Sequence, residues 1–522
     1  MTTMTRSEDV RSAPTLIPIW LRYAITVVVV LATLFLLLYR LNQFPVPWYD
    51  EGSHLHVAKN YALYGVYADS SSEGYRPFGP AIGVGPTVLL PIAAVFKIAG
   101  VSIPAARLVI VAYSLITLLG IFFLVRHFVF YNYALLAVVL LLLLPTIRYI
   151  YYSRTVVGEV PGLAFLIVGL WLWLRPAGHK MGWLVVVGIL MGLASITKNQ
   201  YAFFILPSLL LCWIVNIVWY REKGHLYYII PGVIAGIMFA AWTYLTIIKL
   251  GSGDNFSENL ATLREAGAGA LVVLTRDSLT QVFRILTDSG LYGILFIPAF
   301  IYGIIVSLPR NAAGRQYGIV MVFFAVSTAF FVMSLGWDRY AFAPATLAVL
   351  FVVILIRDMT QAFKFDWKGW RSALGTQSPV PARAAFCVVI GWLFVTVLVP
   401  GFLHTTEVMR QGNTNAYAVS DWITANVPQD AVIESWEQEL GVLTDSRIHY
   451  PPQLILAKAV AAIWQGAPPA SESYDFRDYG TPDYVVVGAF AVYTGIYPNE
   501  RLTNYKLIEN IGDYNVYQRQ NE

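Results

Sequence analysis

Two adjacent carboxylates, Asp50 and Glu51, lie in the run Trp48-Tyr49-Asp50-Glu51-Gly52-Ser53-His54-Leu55-His56, just after a long apolar stretch. A carboxylate held at a membrane surface can take a proton from an acceptor hydroxyl. The plainer reading is that Asp50 caps a helix expected over Ser53–Tyr64 and ended by Gly65. A further acid, Glu159, sits inside an otherwise apolar segment, five residues after the Arg154 of Tyr152-Ser153-Arg154. An ionisable residue within a span is expensive and marks function by default. The alternative is a structural Arg154–Glu159 pair, for which this spacing is poor on a single helix face. Three more cations are expected near the same membrane face: Arg107, the Lys198 of Thr197-Lys198-Asn199-Gln200, and the Arg339 of Trp337-Asp338-Arg339-Tyr340. Each alone would snorkel to the interface. Together they suit a lipid-linked phosphate. His54 and His56 are weak candidates for a divalent metal. Asp50 and His54 are one helical turn apart, but no established zinc motif is matched.

The elements that must carry these residues are membrane helices. The chain is 57% hydrophobic and only 13% charged, where a soluble domain carries about a quarter charged residues. The shortfall is concentrated in apolar stretches that approach the ~20 residues needed to cross a bilayer. Their backbone amides have no water to bond, so they must be helical. Approximate spans are 18–39, 105–125, 134–147, 157–174, 182–197, 201–219, 226–248, 289–308, 317–335, 341–357 and 384–403, about eleven in all. The first follows a polar tail, ends without a small-residue cleavage site, and reads as a retained helix. Cys212 and Cys387 both fall in apolar segments, which argues against a structural disulfide or a cysteine metal site.

Basic residues orient the spans. With the N-terminal Arg6, Arg11 and Arg22 on the cytoplasmic side, the loops holding Arg126, Arg175, Lys180, Arg221, Lys223, Arg310, Arg315, Arg357, Lys364, Lys368, Arg371 and Arg383 fall there too. This works only if the segment from Pro86 to Gly100 does not cross. Residues 40–104, 249–288 and everything after about 404 are then external. In the second of these, Leu279, Val282, Phe283 and Leu286 have helical spacing, as in a helix lying on the membrane surface. From Asn413 the composition becomes that of a soluble protein. Helices are expected over Ala416–Asn426 and Leu454–Trp464, and strands over Ala431–Ser435, Tyr484–Gly488, Tyr505–Glu509 and Val516–Gln518. The expected class is thus an all-α polytopic membrane protein spanning 1–403, with a small extracytoplasmic α/β domain over 404–522. The net charge of +4 gives no case for a nucleic acid partner.

These residues, in this order, resemble the GT-C glycosyltransferase superfamily. The likeness is to the dolichyl-phosphate-mannose protein mannosyltransferases and the lipid A aminoarabinose transferases. Its marks are Asp50-Glu51 with Tyr61, Ala62 and Gly65 behind; Arg76-Pro77-Phe78 through Gly100; Arg107; Ser153-Arg154 with Glu159; Lys198 to Pro207; and Arg339-Tyr340 with Pro344. Arg76-Pro77-Phe78 departs from the His-Pro-Pro often found in the first loop. The resemblance implies inverting transfer of a sugar from a polyprenyl phosphate to a hydroxyl of a protein, lipid or polysaccharide at the outer face of a plasma membrane. Asp50 would be the general base. Glu51 and Glu159 would orient the sugar or hold Arg154. Arg107, Arg154, Lys198, Arg339 and Tyr340 would bind the donor. No cofactor is required, and a divalent metal is the one left open. The rivals are a secondary transporter, which would usually show internal repeats, and a non-catalytic envelope assembly protein of the same fold.

Overall fold

The structure is a computed structural model that describes residues 19–77, 83–175, 180–246, 273–361 and 388–520. Each of the eleven expected spans contains a helix. Seven stretches are long and apolar enough to cross a bilayer: Ile19–Leu38, Ile103–Phe128, Asn199–Tyr220, Leu226–Tyr244, Ala312–Met333, Asp338–Met359 and Val388–Asn426. The other four expected spans hold the shorter apolar helices Tyr131–Leu142, Glu159–Leu174, Met181–Thr197 and Phe296–Ser307. The protein is therefore a helical, multi-pass membrane protein. Its main core is a cluster of aliphatic and aromatic side chains shared by these helices, with Trp173, Phe323, Phe324 and Phe331 fully buried.

The long loop after the first helix is itself structured. It contains the helix Tyr49–Tyr64, a hairpin of β1 (Ala68–Ser71) and β2 (Gly74–Pro77), and the helix Pro86–Ala99. The last has 14 residues, short of the ~20 that cross a bilayer unaided. The helix expected in 249–288 appears as Arg276–Leu286, opened by a Thr275/Ser278 capping box. Val282 and Ile285 face inward while Leu279 and Phe283 are exposed. An outward apolar face of this kind suits contact with lipid. The segment before it, 247–272, lies outside the described residues, as do most of the basic loop 357–383 and Cys387.

The C-terminal unit is a five-stranded sheet in the order β4-β3-β5-β7-β6: β3 (Val432–Ser435), β4 (Arg447–His449), β5 (Tyr484–Val487), β6 (Tyr505–Ile511) and β7 (Tyr514–Arg519). β3 runs parallel to β4 and β5; β7 pairs antiparallel with β5 and β6. The unit is seated on the first long loop. Lys59 donates to the Gly441 and Thr444 carbonyls at 3.0 and 2.8 Å and pairs with Asp445. The amide of Ser72 donates to Ile448 O at 2.8 Å. The helix Gln438–Leu443 lies against Tyr49–Tyr64, and Gly52 makes this close approach possible: a Cβ there would stand 2.3 Å from the Glu439 amide nitrogen.

Candidate functional site

Asp50 is placed by the helix Tyr49–Tyr64, which begins four residues before the sequence reading had it. Pro45 and Pro47 disfavour helix in the preceding chain, and Trp48 (φ −150°, ψ 175°) is the cap, with no side-chain cap bond. Asp50 is thus not the cap residue. It lies in the first turn, where a helix favours negative charge. Its Oδ2 accepts from Arg339 Nη1 at 2.5 Å, with the two side chains 25% and 18% exposed. Burial alone would raise the Asp50 pKa. The Arg339 guanidinium, with Lys198 further off, outweighs this and holds it below the ordinary 3.8. Arg339 comes from the 3-10 turn Asp338–Ala341 that opens the helix Phe342–Gln361. Its guanidinium lies 4.3 Å from the Trp337 ring and 5.9 Å from that of the buried Tyr340.

Lys198 is a single extended residue (φ −156°, ψ 135°) between the helices Met181–Thr197 and Asn199–Val215. It is fixed by a backbone bridge to Val84, beside which the Gly85 amide donates to Thr197 O at 2.8 Å. Only glycine fits there: a Cβ would be 1.7 Å from Ile196 O. The Lys198 ammonium pairs with Glu159, the first residue of Glu159–Leu174. Glu159 is fully buried, and its Oε2 has no hydrogen-bond partner among the described residues.

The remaining sequence candidates are placed differently. Glu51 and Arg107 are both 0% exposed and bonded twice, Arg107 Nε to Oε1 at 2.9 Å and Nη2 to Oε2 at 2.5 Å. The Val156 amide also donates to Glu51, and Arg107 donates to Leu41 O. Arg154 does not meet Glu159. It donates to the Leu36 and Tyr39 carbonyls at 2.9 and 2.5 Å and covers Phe44, tying off the end of the first membrane helix. It is fully buried and apart from the Asp50 group. His54 bonds Val156 O through Nδ1 at 2.7 Å, whereas His56 bonds Ser70 through Nε2 at 2.9 Å. Burial holds both imidazoles below their ordinary pKa, His56 down to about 4. Among the described residues no three His, Cys, Asp or Glu side chains gather as a metal site.

Two residues that the sequence reading did not single out join the site. Asp338 accepts from Arg148 Nε at 2.9 Å and from Tyr152 OH at 3.1 Å, and its Oδ1 also takes the Arg339 amide. Arg148 is 43% exposed. Its signal was present in Pro145-Thr146-Ile147-Arg148-Tyr149, a lone cation between apolar segments. From the C-terminal unit, Trp464 packs edge-on against Trp337 at 5.8 Å. The result is a partly open group of Asp50, Arg339, Arg148 and Asp338, with Lys198–Glu159 close behind.

Comparison with solved structures identifies the fold. ArnT from Cupriavidus metallidurans matches over 96% of this chain and 97% of its own in the apo state, with TM-score 0.61 and 13% identity. Bound to undecaprenyl phosphate, the same protein gives TM-score 0.62 and 13% identity over 95% and 98%. The chain has the GT-C fold. A third GT-C structure, the oligosaccharyltransferase AglB from Archaeoglobus fulgidus in complex with an inhibitory peptide and a dolichol-phosphate, matches with TM-score 0.60 and 13% identity over 96% of this chain and 74% of its own. In sequence, residues 83–248 match the dolichyl-phosphate-mannose-protein mannosyltransferase family. That part of the GT-C fold holds Arg107, Arg154, Glu159 and Lys198 and leaves out Asp50 and Arg339. No curated protein matches in sequence.

Proposed function

We propose that the protein transfers a sugar from a polyprenyl-phosphate donor to an acceptor hydroxyl on the extracytoplasmic side, with inversion and with Asp50 as general base. One observation carries the reading: Asp50 is a partly exposed carboxylate held against Arg339, with the Lys198 charge also acting on it. Base and anion-binding cations therefore lie within electrostatic reach of one another, and none of the three is fully buried. The acceptor oxygen attacks the anomeric carbon and its proton passes to Asp50 Oδ. The bond from that carbon to the phosphate oxygen breaks, and the phosphate leaves with the electron pair. Arg339 and Lys198 face the charge that grows on the leaving phosphate, the place where fixed charge lowers a barrier most. Polyprenyl phosphates bound to two structures of this fold, undecaprenyl phosphate in one and a dolichol-phosphate in the other, support the donor class. In this reading Glu159 sets the position of Lys198. Glu51 acts through Arg107 as a positioning residue, since neither has a free face. Arg154 braces the first helix.

The test is sugar release from a panel of radiolabelled polyprenyl-phosphate sugars by the purified protein in vesicles, with acceptor-rich membranes supplied and solute uptake measured in parallel. Turnover of one donor without uptake supports transfer. Uptake without turnover would replace it with a transporter.

A further inference from the structure

Each cation of the site is paired with its own carboxylate: Arg339 with Asp50, Lys198 with Glu159 and Arg148 with Asp338. Arg148 has no part in the transfer step, yet it is the most open of the three. Its side chain is 43% exposed, against 18% for Arg339 and 13% for Lys198. Its backbone is left-handed (φ 49°, ψ 51°), at the residue before the one-turn helix Tyr149–Tyr152. Any residue but glycine holds that conformation under strain, so the surroundings must impose it. Here they grip the guanidinium on one edge and across one face. Nε, at 2.9 Å, and Nη2 both donate to Asp338 Oδ2. The guanidinium carbon lies 5.4 and 5.9 Å from the Tyr151 and Tyr152 ring centres. Asp338 is fixed in turn through Oδ1, which accepts from the Tyr152 hydroxyl and the Arg339 amide. The charges of Asp338, Arg339, Arg148 and Glu159 all act on the Tyr152 hydroxyl. Arg148 therefore belongs to one electrostatic group with the Asp50 partner and the Lys198 partner.

A guanidinium has five N–H donors. Asp338 takes one from Nε and one from Nη2, and among the described residues Nη1 has no acceptor. The edge formed by Nη1 and the second Nη2 proton is the one that can meet two oxygens of a phosphate side by side.

We propose that Arg148 binds the phosphate of the polyprenyl carrier through this edge, held ready by Asp338. The assignment rests on the transfer reading for the identity of the carrier. A guanidinium already fixed by a carboxylate and two rings loses little freedom when an oxyanion arrives. The charge balance favours this contact most after transfer. The donor is a phosphodiester with one negative charge. Once the sugar has left, the carrier is a monoester whose second pKa is about 6, so it is close to a dianion at neutral pH. Arg339 and Lys198 then face one more negative charge, and Arg148 is the further cation tied to Arg339 through Asp338.

The experiment is titration calorimetry on the full-length protein in nanodiscs, with empty nanodiscs subtracted. The probes are farnesyl phosphate, its methyl diester, farnesol and inorganic phosphate. Wild type is expected to bind farnesyl phosphate more tightly than farnesol or inorganic phosphate. Arg148→Gln should weaken the monoester about tenfold, the worth of a lost charge-assisted contact, and the diester less. Arg477→Gln, which removes an exposed cation from the C-terminal unit, should change nothing. Arg148→Gly relieves the left-handed strain and should bind no better than Arg148→Gln. Binding restored by the glycine would make the residue structural and overturn the proposal. Inorganic phosphate bound as tightly as farnesyl phosphate would overturn the carrier as ligand. Equal binding by wild type and both Arg148 variants would overturn this assignment alone. No binding of farnesyl phosphate by wild type would overturn it together with the donor class.

Discussion

Replacing Glu51 by Gln tests the division of labour between the two adjacent acids. The substitution keeps shape and leaves an amide oxygen for the Val156 N–H. It removes the charge that faces Arg107, which is then buried with the Leu41 carbonyl as its only other acceptor among the described residues. Breaking a buried pair from one side costs about 3–5 kcal/mol, roughly two to four powers of ten in the folding equilibrium. Removing both charges together, as Glu51→Met with Arg107→Met, leaves no orphan. It should recover about 2 kcal/mol or more relative to the sum of the single changes. Asp50→Asn, by contrast, opens a partly exposed pair and should cost no more than about 1 kcal/mol. The assay is denaturant unfolding of the purified variants in detergent, followed by intrinsic fluorescence, with transfer measured on each. Glu51→Gln as stable as wild type, or a cycle with no coupling, would refute the claim that this pair is structural. So would a stable double variant without activity, which would return Glu51 to the chemistry.

Three other outcomes follow from the same geometry. Lys198→Met should lower transfer by about 10²–10³-fold, measured as turnover at saturating donor, because a fixed charge facing the leaving phosphate is lost. Arg154→Met should destabilise the protein by about 1–3 kcal/mol through the unpaired Leu36 and Tyr39 carbonyls, with the KM for donor unchanged. Burial raises the folded-state pKa values of Glu437 and Glu439 from 4.5 to about 7 and about 8. The folded state therefore holds more protons than the unfolded one, and stability falls as pH rises above about 4.5, through about 7 for Glu437 and about 8 for Glu439. Glu439→Gln should flatten that decline in a melting series from pH 5 to 9.

What the sequence made legible was whatever local composition fixes. Apolar runs located the helices, and the short form of 86–99 was readable from length alone. Most C-terminal strands announced themselves by β-branched runs such as Tyr484-Val485-Val486-Val487. β4 did not, because Arg447-Ile448-His449 is three residues long and owes its strand state to pairing with β3. The hairpin over 68–77 was hidden in Ser-rich sequence for the same reason. The site residues were legible as types, but their partners were not. Asp50 meets Arg339 across 289 positions, and Glu51 meets Arg107 across 56. Nothing in spacing tells which acid takes which cation. Arg154 shows the consequence: as a type it suited phosphate, and its place in the fold gave it to backbone carbonyls.

The most direct test of the account is transfer by Asp50→Asn, in vesicles carrying the same amount of folded protein as wild type. The account predicts a loss of about 10²–10⁴-fold, the ordinary worth of a general base. Turnover within tenfold of wild type, on any donor that the wild type uses, would contradict it.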